Sequence, residues 1–79
     1  MRVVKEIPHP ACKITVFAWN GKYLIKLEQG DLEQTFKVSE LELTSEDELT
    51  EIVNDDFMNK ALERFGEMRQ AFGEAMQNL

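Results

Sequence analysis

The chain is predicted to be an α+β domain, an antiparallel β-meander followed by one or two C-terminal α-helices packed on one sheet face, and three observations predict it. Asn20-Gly21 separates two runs rich in β-branched and aromatic residues, 14–19 and 23–27, and that dipeptide suits a type I′ hairpin, whose two central residues both need positive φ. Gly30-Asp31 marks a second reversal, into residues 32–38. From Ser45 onward the apolar residues recur every three or four positions instead of every second one, the spacing of an amphipathic helix. Residues 1–79 form one domain: an N-terminal arm or edge strand (1–11), the meander (12–38) and a helical region (45–78).

Taking the elements in order, Arg2–Ile7 is either a fourth, edge strand through Val3 and Val4 or a loose arm. Pro8 and Pro10 flank His9 and lack backbone donors, so this stretch is a stiff spacer and not part of a ladder. His9 and Cys12 are the only histidine and cysteine. Zinc needs three or four ligands and a thiol nucleophile needs a base with its own orienting partner, so the pair reads as a surface histidine and a small apolar residue at a strand start.

Two-residue turns fix the register of the meander. Trp19 falls opposite Lys22, Val16 opposite Ile25 and Lys13 opposite Glu28; across the second turn Glu28 falls opposite Glu33, Ile25 opposite Phe36 and Tyr23 opposite Val38. Alternation then places Ile14, Val16, Ala18, Tyr23, Ile25, Leu27, Phe36 and Val38 on a core face. The other face carries Lys13, Thr15, Phe17, Trp19, Lys22, Leu24, Lys26, Glu28, Glu33, Thr35 and Lys37, a mostly basic surface with an aromatic corner. Glu28 opposite Glu33 is the one mismatch, since facing like charges destabilise a sheet.

Ser45, with Glu48 three residues on, is predicted to form a capping box that starts the first helix. Asn54, Asp55 and Asp56 either break that helix and cap a second or lie on a bend. The apolar stripe of Phe57, Met58, Ala61, Leu62, Phe65, Met68, Ala71, Phe72, Ala75, Met76 and Leu79 defines the longest element. As helix, residues 55–77 would span about 35 Å, whereas a seven-residue strand spans about 23 Å, so the helix overhangs its sheet. An exposed apolar end on so small a domain predicts a two-fold homodimer whose interface includes Phe65, Phe72, Met76 and Leu79. Gly66 and Gly73, on one side of the helix, either allow close helix approach or are tolerated surface glycines.

Charge and composition narrow the function classes. Residues 1–39 hold six Lys and Arg against four Asp and Glu, whereas residues 40–79 hold three against eleven, within a net charge of −6. The acidic residues between Glu40 and Asp56 suit a solvated connection and the positive end of a helix dipole, with no need of a catalytic or metal role. No catalytic, metal or phosphate-binding pattern overlies the chain, so neither an enzyme nor a cofactor is expected. No run of about 18 apolar residues is present to span a membrane. The stretch MRVVKEIPHP lacks the apolar core of a signal peptide, and the lone cysteine excludes an internal disulfide; a cytoplasmic protein is expected.

The order of elements, a meander and then a long dimerising helix, resembles that of small single-stranded-DNA-binding transcriptional coactivators and their Whirly-type relatives. It is a likeness of architecture, with no motif matched position by position. Two function classes follow. The first is a homodimeric binding or scaffold protein with a protein partner. The second is a weak single-strand binder on the open sheet face, where Phe17 and Trp19 would stack bases while Lys13, Lys22, Lys26 and Lys37 neutralise phosphates; the acidic C-terminal half disfavours it.

Overall fold

Asn20 and Gly21 both adopt left-handed backbone, at φ of 57° and 77°, in the computed structural model of the chain, which describes Met1–Leu79. The resulting turn joins β2 (Lys13–Trp19) to β3 (Lys22–Gln29), paired from Lys13 with Glu28 through to Trp19 with Lys22. Gly30, at φ 60°, opens the second turn, into β4 (Leu32–Ser39). There Glu28 does face Glu33, and Ile25 faces Phe36. The registers are those the two turns dictate. With β1 (Arg2–Ile7) beside β2, the sheet is four-stranded and antiparallel in the order β1-β2-β3-β4.

Arg2–Ile7 is thus an edge strand, and it carries an irregularity. Val3 pairs with Phe17 and Lys5 with Val16, which leaves Val4 as an extra residue in a β-bulge. The bulge shifts the alternation by one, so Lys5 and Ile7 join the core side while Val3 lies on the open face. Lys5 exploits this position by donating from Nζ to the Thr50 hydroxyl, 3.2 Å away.

After β4, a single turn of 3-10 helix (Glu40–Glu42) leads to α1 (Asp47–Ile52) and α2 (Asp55–Met76). Only half of the expected capping box forms. The Glu48 carboxylate accepts from the Ser45 backbone N–H at 3.1 Å and from the Thr44 backbone N–H and hydroxyl, but the Ser45 hydroxyl caps nothing and the N-cap position is Glu46. With Thr44 and Ser45 both oriented on Glu48, one carboxylate replaces the reciprocal pair. These three hydrogen bonds hold the Glu48 carboxyl below its ordinary range. Asn54 separates the two helices: extended at ψ 176°, it accepts the Phe57 N–H on its side-chain oxygen at 2.9 Å.

Both helices cover one sheet face. Ile14, Val16, Ile25 and Leu27 from the sheet meet Leu49, Val53, Met58, Ala61 and Phe65 from the helices, while Tyr23, Phe36 and Val38 are half-buried around them. Polar and aromatic contacts align α2 with β4. The Gln34 amide donates to the Ala61 carbonyl at 2.9 Å and its oxygen accepts from Arg64 Nε at 2.9 Å. Phe36 and Phe57 meet edge to face at 5.1 Å, with the Arg64 guanidinium 5.9 Å above the Phe36 ring. Further along, Arg69 reaches the Gln29 side chain at the end of β3. The helix therefore runs opposite to β4, toward the Gly30 turn. Neither helix is long and apolar enough to cross a membrane.

Candidate binding surfaces

Three surfaces present side chains that the core does not use. The first is the distal part of α2. Met58, Ala61, Phe65, Phe72 and Met76 lie within about 40° of one helical direction at 100° per residue, so the stripe that faces the core continues past the sheet. Phe65 is fully buried, and this corrects its expected place in a dimer interface: Ile25, Leu27 and the rest of the chain's own core already enclose it. Phe72 and Met76 are about half exposed and Leu79 almost wholly so, and residues 69–79 all face solvent. Gly66 and Gly73 have open space where a Cβ would stand, so no packing within the chain accounts for either.

The second surface is the open face of the sheet. Its chemistry is set by how the strands align. Lys26 lies beside both facing glutamates, with Nζ 3.4 Å from Glu33 and 4.0 Å from Glu28. That contact resolves the like-charge mismatch and removes Lys26 as a free cation. Lys13 stands at one end of β2, opposite Glu28, whereas Trp19 and Lys22 face each other at the other end with Lys37 diagonally across β3. The six candidate residues therefore do not form one patch. Trp19, Lys22 and Lys37 share a corner, Phe17 lies next to it, Lys13 stands apart at the far end of β2, and Lys26 is neutralised by carboxylates.

Sequence reasoning missed the contribution of β1. The bulge places Val3 on this face, and Met1, with Phe17, Leu24 and Thr35, borders a shallow groove of about 210 Å³. Met1, Val3 and Trp19 are each more than half exposed. Thr15 is nearly buried on the same face, its short side chain flanked across the strands by Glu6 and Lys26. A bulge in a two-valine run has no reliable local signature, whereas the ion pairs of Lys26 could be read from the register that set Glu28 against Glu33.

The third surface is an open depression of about 720 Å³ beneath the Pro8–Pro10 spacer, lined in part by His9, Cys12, Lys13 and Glu28. His9 Nδ1 accepts the Ala11 N–H at 3.1 Å, and the Gln29 amide donates to the Ala11 carbonyl at 3.0 Å. Because Gln29 also accepts from Arg69, it ties this loop to α2. Partial burial pushes the Cys12 thiol up, which disfavours the thiolate a nucleophile needs. No three His, Cys, Asp or Glu side chains converge as metal ligands.

At the Trp19 end, Tyr23 donates from its hydroxyl to Glu46 at 3.5 Å, and Arg2 lies 3.9 Å from the same carboxylate. Desolvation first, then the charges of Glu46 and Glu40, raise the Tyr23 hydroxyl above its ordinary range. Acidic groups thus border the basic corner. The chain matches no protein-family model, no curated protein and no solved structure.

Proposed function

We propose that the protein is a small, non-enzymatic homodimeric binding or scaffold protein of a reducing compartment such as the cytoplasm. What supports the reading is the continuation of the core stripe past the sheet: Phe72 and Met76 occupy the helical face that Phe65 buries, yet both are half exposed. A second copy would cover them at the cost of little new desolvation of polar groups. Light scattering at micromolar concentration tests it directly, with a dimeric mass expected and a monomeric one overturning it. Phe72→Asp should shift that mass to monomer while far-ultraviolet circular dichroism stays unchanged, since Phe72 supports no intrachain core contact.

A second reading, single-strand binding on the open face, is favoured by one observation: Trp19 is 52% exposed beside Lys22 and Lys37, neither of which is in an ion pair. With Lys26 engaged and Lys13 at the far end of the sheet, Lys22 and Lys37 remain beside Trp19, so the log-log salt slope for an unstructured oligonucleotide should be about −1.4. Trp19→Ala should weaken binding and leave that slope unchanged. Absence of binding at low salt would remove this reading.

A further inference from the structure

The two edges of the sheet differ in what they leave open. In a two-residue hairpin the residues flanking the turn form a hydrogen-bonded pair, and such pairs alternate along the ladder. Gln29–Leu32, Leu27–Gln34, Ile25–Phe36 and Tyr23–Val38 are therefore the bonded pairs of β3 and β4. The N–H and C=O groups of Glu33, Thr35 and Lys37 point away from β3. None of them joins any backbone bond outside the sheet or any side-chain bond to the main chain. All three residues are exposed. This edge is eight residues long and regular, with no bulge or proline to blunt it.

The side chains along this edge are self-complementary in one arrangement. If two copies of β4 run antiparallel about a two-fold axis at Thr35, then Thr35 faces Thr35 of the second copy and Glu33 faces its Lys37, with the reverse pair generated by symmetry. Opposite charges and paired threonines are both favourable as direct cross-strand neighbours. On the core side the same register sets Leu32 against Val38, both half-buried and apolar. Centring the axis on Glu33 or on Lys37 instead sets like charge against like. Centring it on Gln34 or Phe36 takes Glu33 and Lys37 off each other.

A second, independent observation comes from the ends of the strand. Leu41, 96% exposed, stands just past the Ser39 end of β4, whereas Phe72, Met76 and Leu79 lie past the Gly30 end. Antiparallel pairing lays one copy's Ser39 end alongside the other's Gly30 turn. The exposed leucine of each copy and the exposed helix end of the other then meet at the same end of the joined sheet.

We infer that β4 is the seam of a homodimer, pairing with β4 of a second copy about a two-fold axis at Thr35 to make one continuous eight-stranded sheet. The inference rests on the homodimer reading above and specifies where its interface lies. The seam adds six backbone hydrogen bonds, two for each of the three opposed pairs, using groups that the single chain leaves unpaired. The ladder alone is narrow, and the apolar ends supply the remaining contact.

The decisive experiment is a charge exchange read by sedimentation equilibrium. Lys37→Glu sets glutamate against glutamate at both ends of the seam and should weaken the dimer roughly tenfold to a hundredfold. Adding Glu33→Lys restores opposite charges in reversed order and should recover the dimer. A nitroxide on Thr35→Cys, in a Cys12→Ala background, provides a readout that does not depend on those substitutions. Paired residues at Thr35 would have Cα atoms about 5.5 Å apart, so the two labels should broaden each other's spectrum strongly. A wild-type dimer with no broadening, or one that neither charge variant disturbs, would overturn the β4 seam and leave the homodimer intact with its interface elsewhere. A monomeric wild type would overturn both, and would leave the edge open to an extended segment of another protein. Failure of the double variant to recover, with its circular dichroism native, would exclude this register.

Discussion

Phe65 and Phe72 are seven residues apart on one face of one helix, and they meet opposite fates. The first is fully buried and the second half exposed. Their local sequence context is nearly the same: each is followed directly by glycine, in Arg64-Phe65-Gly66 and Ala71-Phe72-Gly73, with a glutamate one residue further on. Helical periodicity therefore treats them alike, and only the length of the sheet beneath distinguishes them. The docked half of α2, up to Arg69 and its contact with Gln29, is held by the core and by side chains of β3 and β4. The rest is held only from within the helix, by its backbone bonds and by the Gln70 amide donating to the Glu74 carboxylate. A stripe of this kind marks a face able to pack; how much of it the chain's own sheet covers is decided by dimensions.

The largest effect expected from this contrast is on stability. Phe65→Ala opens a cavity in the core and should cost about 3 to 5 kcal/mol by chemical denaturation, enough to unfold so small a domain. Phe72→Ala should leave the stability of the isolated monomer within about 0.5 kcal/mol. Comparable losses measured at low protein concentration would mean that the two halves of α2 are equally docked.

A smaller effect separates the sides of the helix. Gly66 and Gly73 lie roughly half a turn from Arg64, which marks the side of α2 turned to β4. With open space at both Cβ positions, Gly66→Ala and Gly73→Ala should each stabilise the chain by about 0.5 to 1 kcal/mol. Neither should weaken the proposed dimer. A loss of dimer in Gly73→Ala would place the second copy against the glycine side and so turn the overhanging half toward a different neighbour.

The smallest effect is expected in acid. The Glu48 carboxyl titrates lower folded than unfolded, so its contribution is complete above the unfolded value of about 4.3 and is lost as pH falls through the lower folded value. Protonation should loosen the start of α1, which closes the docked half of the core through Leu49 and Val53, and leave residues 69–76 of α2 unchanged. Amide exchange followed from neutral pH into acid, in wild type and in Glu48→Gln, checks this. An acid-dependent loosening that survives in Glu48→Gln would assign it to another group.

Much of the fold was legible in the sequence because its turns are stereochemically demanding. Asn20-Gly21 and Gly30-Asp31 admit few backbone conformations, and once the turns are two residues long every cross-strand pair from Lys13 to Val38 follows. The break at Asn54 was legible as one of two readings, and the helix overhang followed from arithmetic. What was not legible depended on choices between equivalent partners. Val3 and Val4 are chemically indistinguishable as bulge sites, so the face on which β1 presents each residue could not be read. Ser45 and Thr44 both offer hydroxyls near Glu48, and the geometry of the connection lets the carboxylate take the bonds that the Ser45 side chain was expected to make. At the open face, Lys26 and Lys37 look alike in sequence, yet one is neutralised by two glutamates and the other stands free.

The irregularity at Val4 bears on how many copies can join. A sheet has two edges, and a chain that left both regular could grow by addition at either one, as a fibre does. Here only β4 is regular. The extra residue in β1, together with the two prolines that follow it, breaks the repeat of outward-pointing amides that another strand would need. The proposed two-fold pairing would consume the one regular edge of each copy, so the assembly would close at two and present only bulged edges to its surroundings. In that assembly the one extra residue of β1 would separate a finite particle from a polymer.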